Sequence, residues 1–177
     1  MRVFLGIPLT EDVIEELSRK MHWIKKREFF KGNYVEPTKM HITLEFLGEK
    51  SEEDIKKIIN DIEKEINSNN AQKFNIQINK IGFFPTITAP RVGWFGFENV
   101  KKLYELRLKI KNSVGHTKNF NPHITFIRIK QVLVPDFIRK IRISVDAFQQ
   151  VKSFILYKSS FTPKGHIYEK IHEFKLK

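Results

Sequence analysis

The sequence predicts an α+β fold: two pseudo-symmetric lobes of antiparallel sheet with outer helices and an active-site cleft between them. Three observations lead there. Stretches with strand periodicity alternate with helical stripes along the whole chain. The order strand, helix, His-x-Thr strand occurs once in each half, ending on His41-Ile42-Thr43 and on His123-Ile124-Thr125. No linker-like or low-complexity stretch divides the halves, so residues 1–177 are expected to form a single domain whose two lobes each contribute one His-x-Thr strand.

Taken in order, Val3 to Ile7 reads as a buried strand. The N-terminus superficially resembles a short signal peptide. Its apolar stretch is too brief, however, and Glu11-Asp12 follow at once, so a first strand fits better. From Thr10 the pattern turns helical, with Val13, Leu17, Met21 and Ile24 on one stripe, and Gly32 closes that region. Residues 39–46 alternate with period two. This puts Met40, Ile42, Leu44 and Phe46 on one face and His41, Thr43 and Glu45 on the other. Ser51 caps a second helix carrying Ile55, Ile58, Ile59, Ile62 and Ile66.

In the second half, strands are expected at Phe74 to Ile78 and Val92 to Phe97. A helix from about Glu98 to Val114 follows, with Val100, Leu103, Leu106 and Ile110 inward. The loop Gly115 to Asn119 leads into the second His-x-Thr strand. Pro135 opens a short helix through Arg142, and two last strands span about Val151 to Phe161 and Ile167 to Leu176, around a Pro163-Lys164-Gly165 turn.

Composition narrows the chemistry. Hydrophobic residues make up 41% of 177 residues, with 16 Phe, enough for a substantial core. Lys and Arg outnumber Asp and Glu by 32 to 20, and the formal charge of +12 suits a polyanionic partner such as RNA, or simply a solvated lysine-rich surface. The absence of cysteine excludes disulfides, thiolate catalysis and Cys-based zinc sites, with a cytoplasmic address as the default. No apolar run approaches membrane-spanning length, and no His or carboxylate grouping has metal-site spacing. No membrane partner, metal or other cofactor is therefore expected. No Gly-rich phosphate loop is present.

The histidines carry the chemical signal. One His-x-Thr triplet means little, because Thr is favoured in strands. Two copies, one per lobe, are a different matter. Residues i and i+2 of a strand face the same way, so each His and Thr emerge together. Two such strands facing each other surround a centre with two imidazoles and two hydroxyls. That layout suits in-line displacement at phosphorus: a neutral imidazole takes a proton from water, a protonated one gives a proton to the departing oxygen, and the hydroxyls bind phosphate oxygens. Spacing alone does not say which histidine is acid and which is base. Of the others, His116 lies in a polar loop near the second motif, where a solvated residue is the simpler reading. His22 reads as helix surface and His172 as strand surface.

Several segments resemble the two-histidine (2H) phosphoesterase superfamily, and within it the RNA 2',3'-cyclic phosphodiesterases formerly called 2'-5' RNA ligases. They are Arg2 to Phe4, Met40 to Glu49, Phe84-Pro85 with Pro90 to Trp94, Phe120 to Arg128, and Ser160 to Gly165 with Tyr168-Glu169. His166 stands where the family usually has a further Pro. The resemblance implies a metal-independent hydrolase acting on RNA with a 2',3'-cyclic phosphate end and leaving a 2'-phosphomonoester. It implies His41 as general acid and His123 as general base, with Thr43 and Thr125 on the phosphate. Arg128 would contact the phosphate or stack on the base, and Phe4 is the candidate aromatic surface for the terminal base. Strict alternation points Arg128 away from His123, so the strand must bulge or end near Phe126 for it to reach the site. A 2',5'-linked RNA phosphodiesterase or reversible ligase, and a non-catalytic RNA-end-binding module, remain as alternatives. A monomer is the default expectation, with no direct sequence signal of oligomeric state.

Overall fold

The computed structural model describes residues 1–114, 120–163 and 165–177. The expected loop Gly115 to Asn119, with His116, and Lys164 of the expected turn lie outside the described residues. The chain runs β1 (Arg2–Pro8), α1 (Glu11–Lys26), β2 (Phe30–Tyr34), a 3-10 turn (Pro37–Lys39), β3 (His41–Glu49), α2 (Glu52–Ser68), β4 (Phe74–Phe84) and β5 (Val92–Phe97). It continues with α3 (Lys101–Lys109), α4 (Lys111–Val114), β6 (Ile124–Val132), α5 (Phe137–Lys140), β7 (Ala147–Val151), β8 (Ser153–Thr162) and β9 (Gly165–Lys175). Two antiparallel sheets result, ordered β3-β1-β8-β9 and β2-β6-β5-β4-β7.

The two long helices form as their patterns dictate. Helix α1 buries Val13, Leu17, Met21 and Ile24, with Glu11 and Asp12 in its first turn and Lys25 and Lys26 in its last, charges that complement the helix dipole. Helix α2 starts with a capping box: the Ser51 hydroxyl accepts from the Asp54 N–H while the Asp54 carboxylate accepts from the Ser51 N–H. Both ends of that sequence pattern satisfy backbone donors that would otherwise lack partners.

The structure departs from these expectations at several points. The expected helix over 98–114 is broken at Ile110, which turns inward and is fully buried between α3 and α4. Residues 147–151 form a strand of their own on β4. Gly32 does not close a region but sits inside β2, paired along β6. A Cβ at Gly32 would lie 2.3 Å from the Arg128 carbonyl oxygen, so only glycine lets the two backbones approach this closely.

The sheets are not the two halves of the sequence. β2 leaves the N-terminal half to flank β6, and the C-terminal hairpin β8–β9 returns to flank β1. The chain therefore passes back and forth between the sheets, and β3 meets β6 where they adjoin. Large aromatic side chains, among them Phe95, Phe126, Phe137, Phe154 and Phe174, fill the core.

Candidate active site

β3 begins on His41, and β6 begins one residue after His123. In both motifs the imidazole is anchored in the same way. Nδ1 of His41 donates to the Lys39 carbonyl at 2.8 Å, and Nδ1 of His123 donates to the Asn121 carbonyl at 2.7 Å. A carbonyl can only accept, so each Nδ1 carries the hydrogen and each Nε2 is left for chemistry. Nε2 of His41 lies 3.1 Å from the Thr43 hydroxyl, which donates to it when the ring is neutral. The symmetry of the motifs thus extends to the tautomer.

Electrostatics couple the two rings. Burial holds both histidines below the ordinary imidazole range, and the carbonyl bonds only partly oppose it. The Arg128 guanidinium pushes both further down, and His123 does the same to His41. Three groups able to carry positive charge therefore interact with no anion among them, a centre suited to a phosphate.

Arg128 reaches this centre because β6 bulges. Along β5, Gly93 pairs with Ile127 and Trp94 with Thr125, so Phe126 is the extra residue. Ile124, Phe126, Ile127 and Ile129 all point into the core, and Arg128 emerges on the side of His123 and Thr125. β3 carries the matching feature. Leu5 pairs with Glu45 and Gly6 with Thr43, leaving Leu44 extra. Each bulge falls on the third residue after the histidine.

The bulge in β3 corrects the face assignment made from strict alternation. Phe46 does not join Met40, Ile42 and Leu44. It is 66% exposed, on the same side as Thr43, and occupies the position in its motif that Arg128 holds in the other. Glu45 turns inward instead, 7% exposed, and forms an ion pair with Arg107 of α3.

Aromatic rings wall the His41 side. Phe4 lies with its ring centroid 5.0 Å from His41, 5.1 Å from Tyr157, 5.1 Å from Tyr168 and 6.0 Å from Phe46. At 3% exposure it is the floor of this cluster, with the surrounding rings packed over it. Gly6 keeps the floor close, since a Cβ there would come within 3.2 Å of Phe4 and 3.3 Å of His41. Tyr168 stands edge-on to His41 at 5.2 Å. Burial raises the Tyr168 phenol while Arg128 and Lys39 pull it back, and burial pushes Tyr157 up to about 12. On the other side, Phe84 meets the His123 ring edge-on at 5.2 Å and stacks on Trp94 at 4.9 Å.

In the sequence, Phe84, Trp94 and Tyr168 are points of resemblance without a role of their own, and Tyr157 belongs to none of the resembling segments. The available signal was alternation: Tyr157 and Ser159 on β8 share a side, as do His166 and Tyr168 on β9. The remaining histidines lie elsewhere. His172 bonds to Glu63 at 2.9 Å, and His22 is exposed on α1. Among the described residues no cluster of three or more His, Cys, Asp or Glu could hold a metal ion, and no helix is long and apolar enough to cross a membrane.

The fold brings His41 and His123 into one electrostatic neighbourhood with Arg128, and its relatives are phosphoesterases. The model of the LigT like Phosphoesterase family matches residues 7–94. The RNA 2',3'-cyclic phosphodiesterase of Thermotoga maritima is 31% identical over 185 residues, covering 98% of this chain and 94% of that protein. Among solved structures, TT0787 of Thermus thermophilus superposes with a TM-score of 0.82 at 26% identity, covering 99% of this chain and 98% of that one. Escherichia coli LigT complexed with NADP+ superposes with a TM-score of 0.77 at 25% identity, over 99% and 97%. The chain belongs to the LigT-like phosphoesterase family.

Proposed function

We propose that the protein hydrolyses the terminal 2',3'-cyclic phosphate of RNA to a 2'-phosphomonoester, without a metal, by two-histidine acid–base catalysis. The observation that carries this reading is the matched anchoring of His41 and His123 through Nδ1, which leaves each Nε2 for chemistry while the Arg128 charge acts on both rings. His123 takes a proton from water as the water oxygen attacks phosphorus. The bond from phosphorus to the 3' oxygen breaks, and protonated His41 gives its proton to that oxygen. The polarity, with His41 as acid, follows the family resemblance. Thr43, Thr125 and Arg128 donate hydrogen bonds to the non-bridging oxygens, where negative charge accumulates. Curated relatives bear this activity in their names. The adenosine of NADP+ also carries a 2'-phosphate, the group this reaction would leave on RNA, and LigT binds that dinucleotide.

The test is hydrolysis of an oligonucleotide ending in a 2',3'-cyclic phosphate, in excess EDTA, with the product identified by phosphorus NMR. A 2'-phosphate and retained activity are expected. A 3'-phosphate would overturn the bond-breaking step, and loss of activity in EDTA would overturn metal independence.

A further inference from the structure

The rings around His41 do not stop at the site. On the hairpin β8–β9, Ser159 pairs with Tyr168 and Phe161 with His166, so Tyr157, Ser159, Phe161, His166 and Tyr168 project from one side of the sheet. Tyr168, 5.2 Å from His41, is followed by His166, stacked on it at 6.2 Å, and then by Phe161, edge-on to His166 at 5.2 Å. Ring follows ring from the candidate catalytic histidine toward the hairpin turn. Phe161 is 77% exposed, the most exposed of the large hydrophobic side chains, and His166 is exposed beside it. No core contact explains an open Phe at that position.

We infer that the ladder Tyr168–His166–Phe161 is a single-stranded RNA track that stacks the bases of the nucleotides immediately 5' to the cyclic phosphate end. The inference rests on the reading of the site as a cyclic phosphodiesterase and extends it to substrate length. Every base has a π-face, so rings in series bind single strands with little regard to sequence, whereas a duplex keeps its bases already stacked. The charge around the inner end agrees, since Arg128 and Lys39 both act on Tyr168. Continuity with the site selects this occupant: RNA held at its 3' end must leave the cleft along some surface, and this one begins at His41. A second copy of the chain docking through Phe161 is the competing occupant.

The experiment compares a 2',3'-cyclic mononucleotide with a pentanucleotide ending in the same cyclic nucleotide, for the wild type and for Phe161→Ala, His166→Ala and the double variant. The mononucleotide ends before the outer rings, so its kcat/KM is expected to hold. The KM of the pentanucleotide is expected to rise on the order of tenfold in the double variant. Phe161→Tyr should retain wild-type KM, and a pentanucleotide with abasic penultimate positions should lose the same factor in the wild type but nothing more in the double variant. An unchanged pentanucleotide KM overturns the inference. A parallel loss on both substrates overturns it too, because the residues would then be shaping the site. A shift in sedimentation of Phe161→Ala with unaltered KM assigns the patch to self-association instead. Fluorescence anisotropy with a 3'-hydroxyl pentanucleotide reads the same track without hydrolysis. Absence of turnover on every substrate would therefore sink the functional reading while leaving the track separately testable.

Discussion

At the scale of single residues, His41 and His123 are half-buried bases under the influence of a permanent cation. Both stand below the ordinary imidazole range, so in the free enzyme the neutral forms dominate at neutral pH. Protonated acid and neutral base coexist best between the two values. The maximum of kcat/KM is thus expected on the acidic side of an unperturbed histidine. A bound phosphate favours imidazolium and raises both values, so the kcat profile should lie at higher pH than that of kcat/KM. Coincident profiles would count against the coupling. Arg128 contributes to the depression, so Arg128→Gln should move the kcat/KM profile upward in pH while lowering its maximum on the order of a hundredfold. His41→Ala and His123→Ala should each cost about 10² to 10⁴-fold in turnover with unaltered circular dichroism. Undiminished turnover in both would remove the mechanism.

At the scale of elements, the two bulges decide which side chains meet. A strand slipped by one residue exchanges its faces, and each bulge makes such a slip three residues past the histidine. The first brings Glu45 inward to Arg107, tying the bulge of β3 to α3. Removing one partner of a buried pair leaves the other charge stranded, so Glu45→Gln should destabilise the protein by about 3 kcal/mol in urea unfolding. Gly32 holds the backbone of β2 against that of β6 at Arg128. Gly32→Ala should lower stability by about 1–3 kcal/mol and raise KM as Arg128 is displaced. A variant with wild-type unfolding and kinetics would show that β2 can yield without moving Arg128. The His-x-Thr triplets and the Ser51 cap were legible because each is a local pattern of period or spacing. The bulge in β3 was not, and that in β6 entered only as a condition on Arg128, because nothing in Leu44 or Phe126 by itself marks an extra residue; the pairing with β1 and β5 creates it.

At the scale of the whole molecule, the exchange of β2 and of β8–β9 between sheets makes each sheet depend on distant parts of the chain. One cooperative transition is expected by calorimetry, with calorimetric and van't Hoff enthalpies in agreement, and two resolved transitions would indicate separable lobes. The charge of +12 should make kcat/KM on RNA fall with salt, more steeply for an oligonucleotide than for a cyclic mononucleotide, which carries fewer phosphates. Local pattern along the chain was enough for the α+β class, the two long helices and the pairing of each His with its Thr, because periodicities of two and of 3.6 act over a few neighbouring residues. The sequence also named Arg128 and the condition for its arrival. Tertiary structure alone decided that the condition is met, that Phe46 faces outward while Phe4 is covered, and that Tyr168, His166 and Phe161 continue the site. These are matters of register between strands far apart in the chain, and register is settled by hydrogen bonding across a sheet, which no local pattern records.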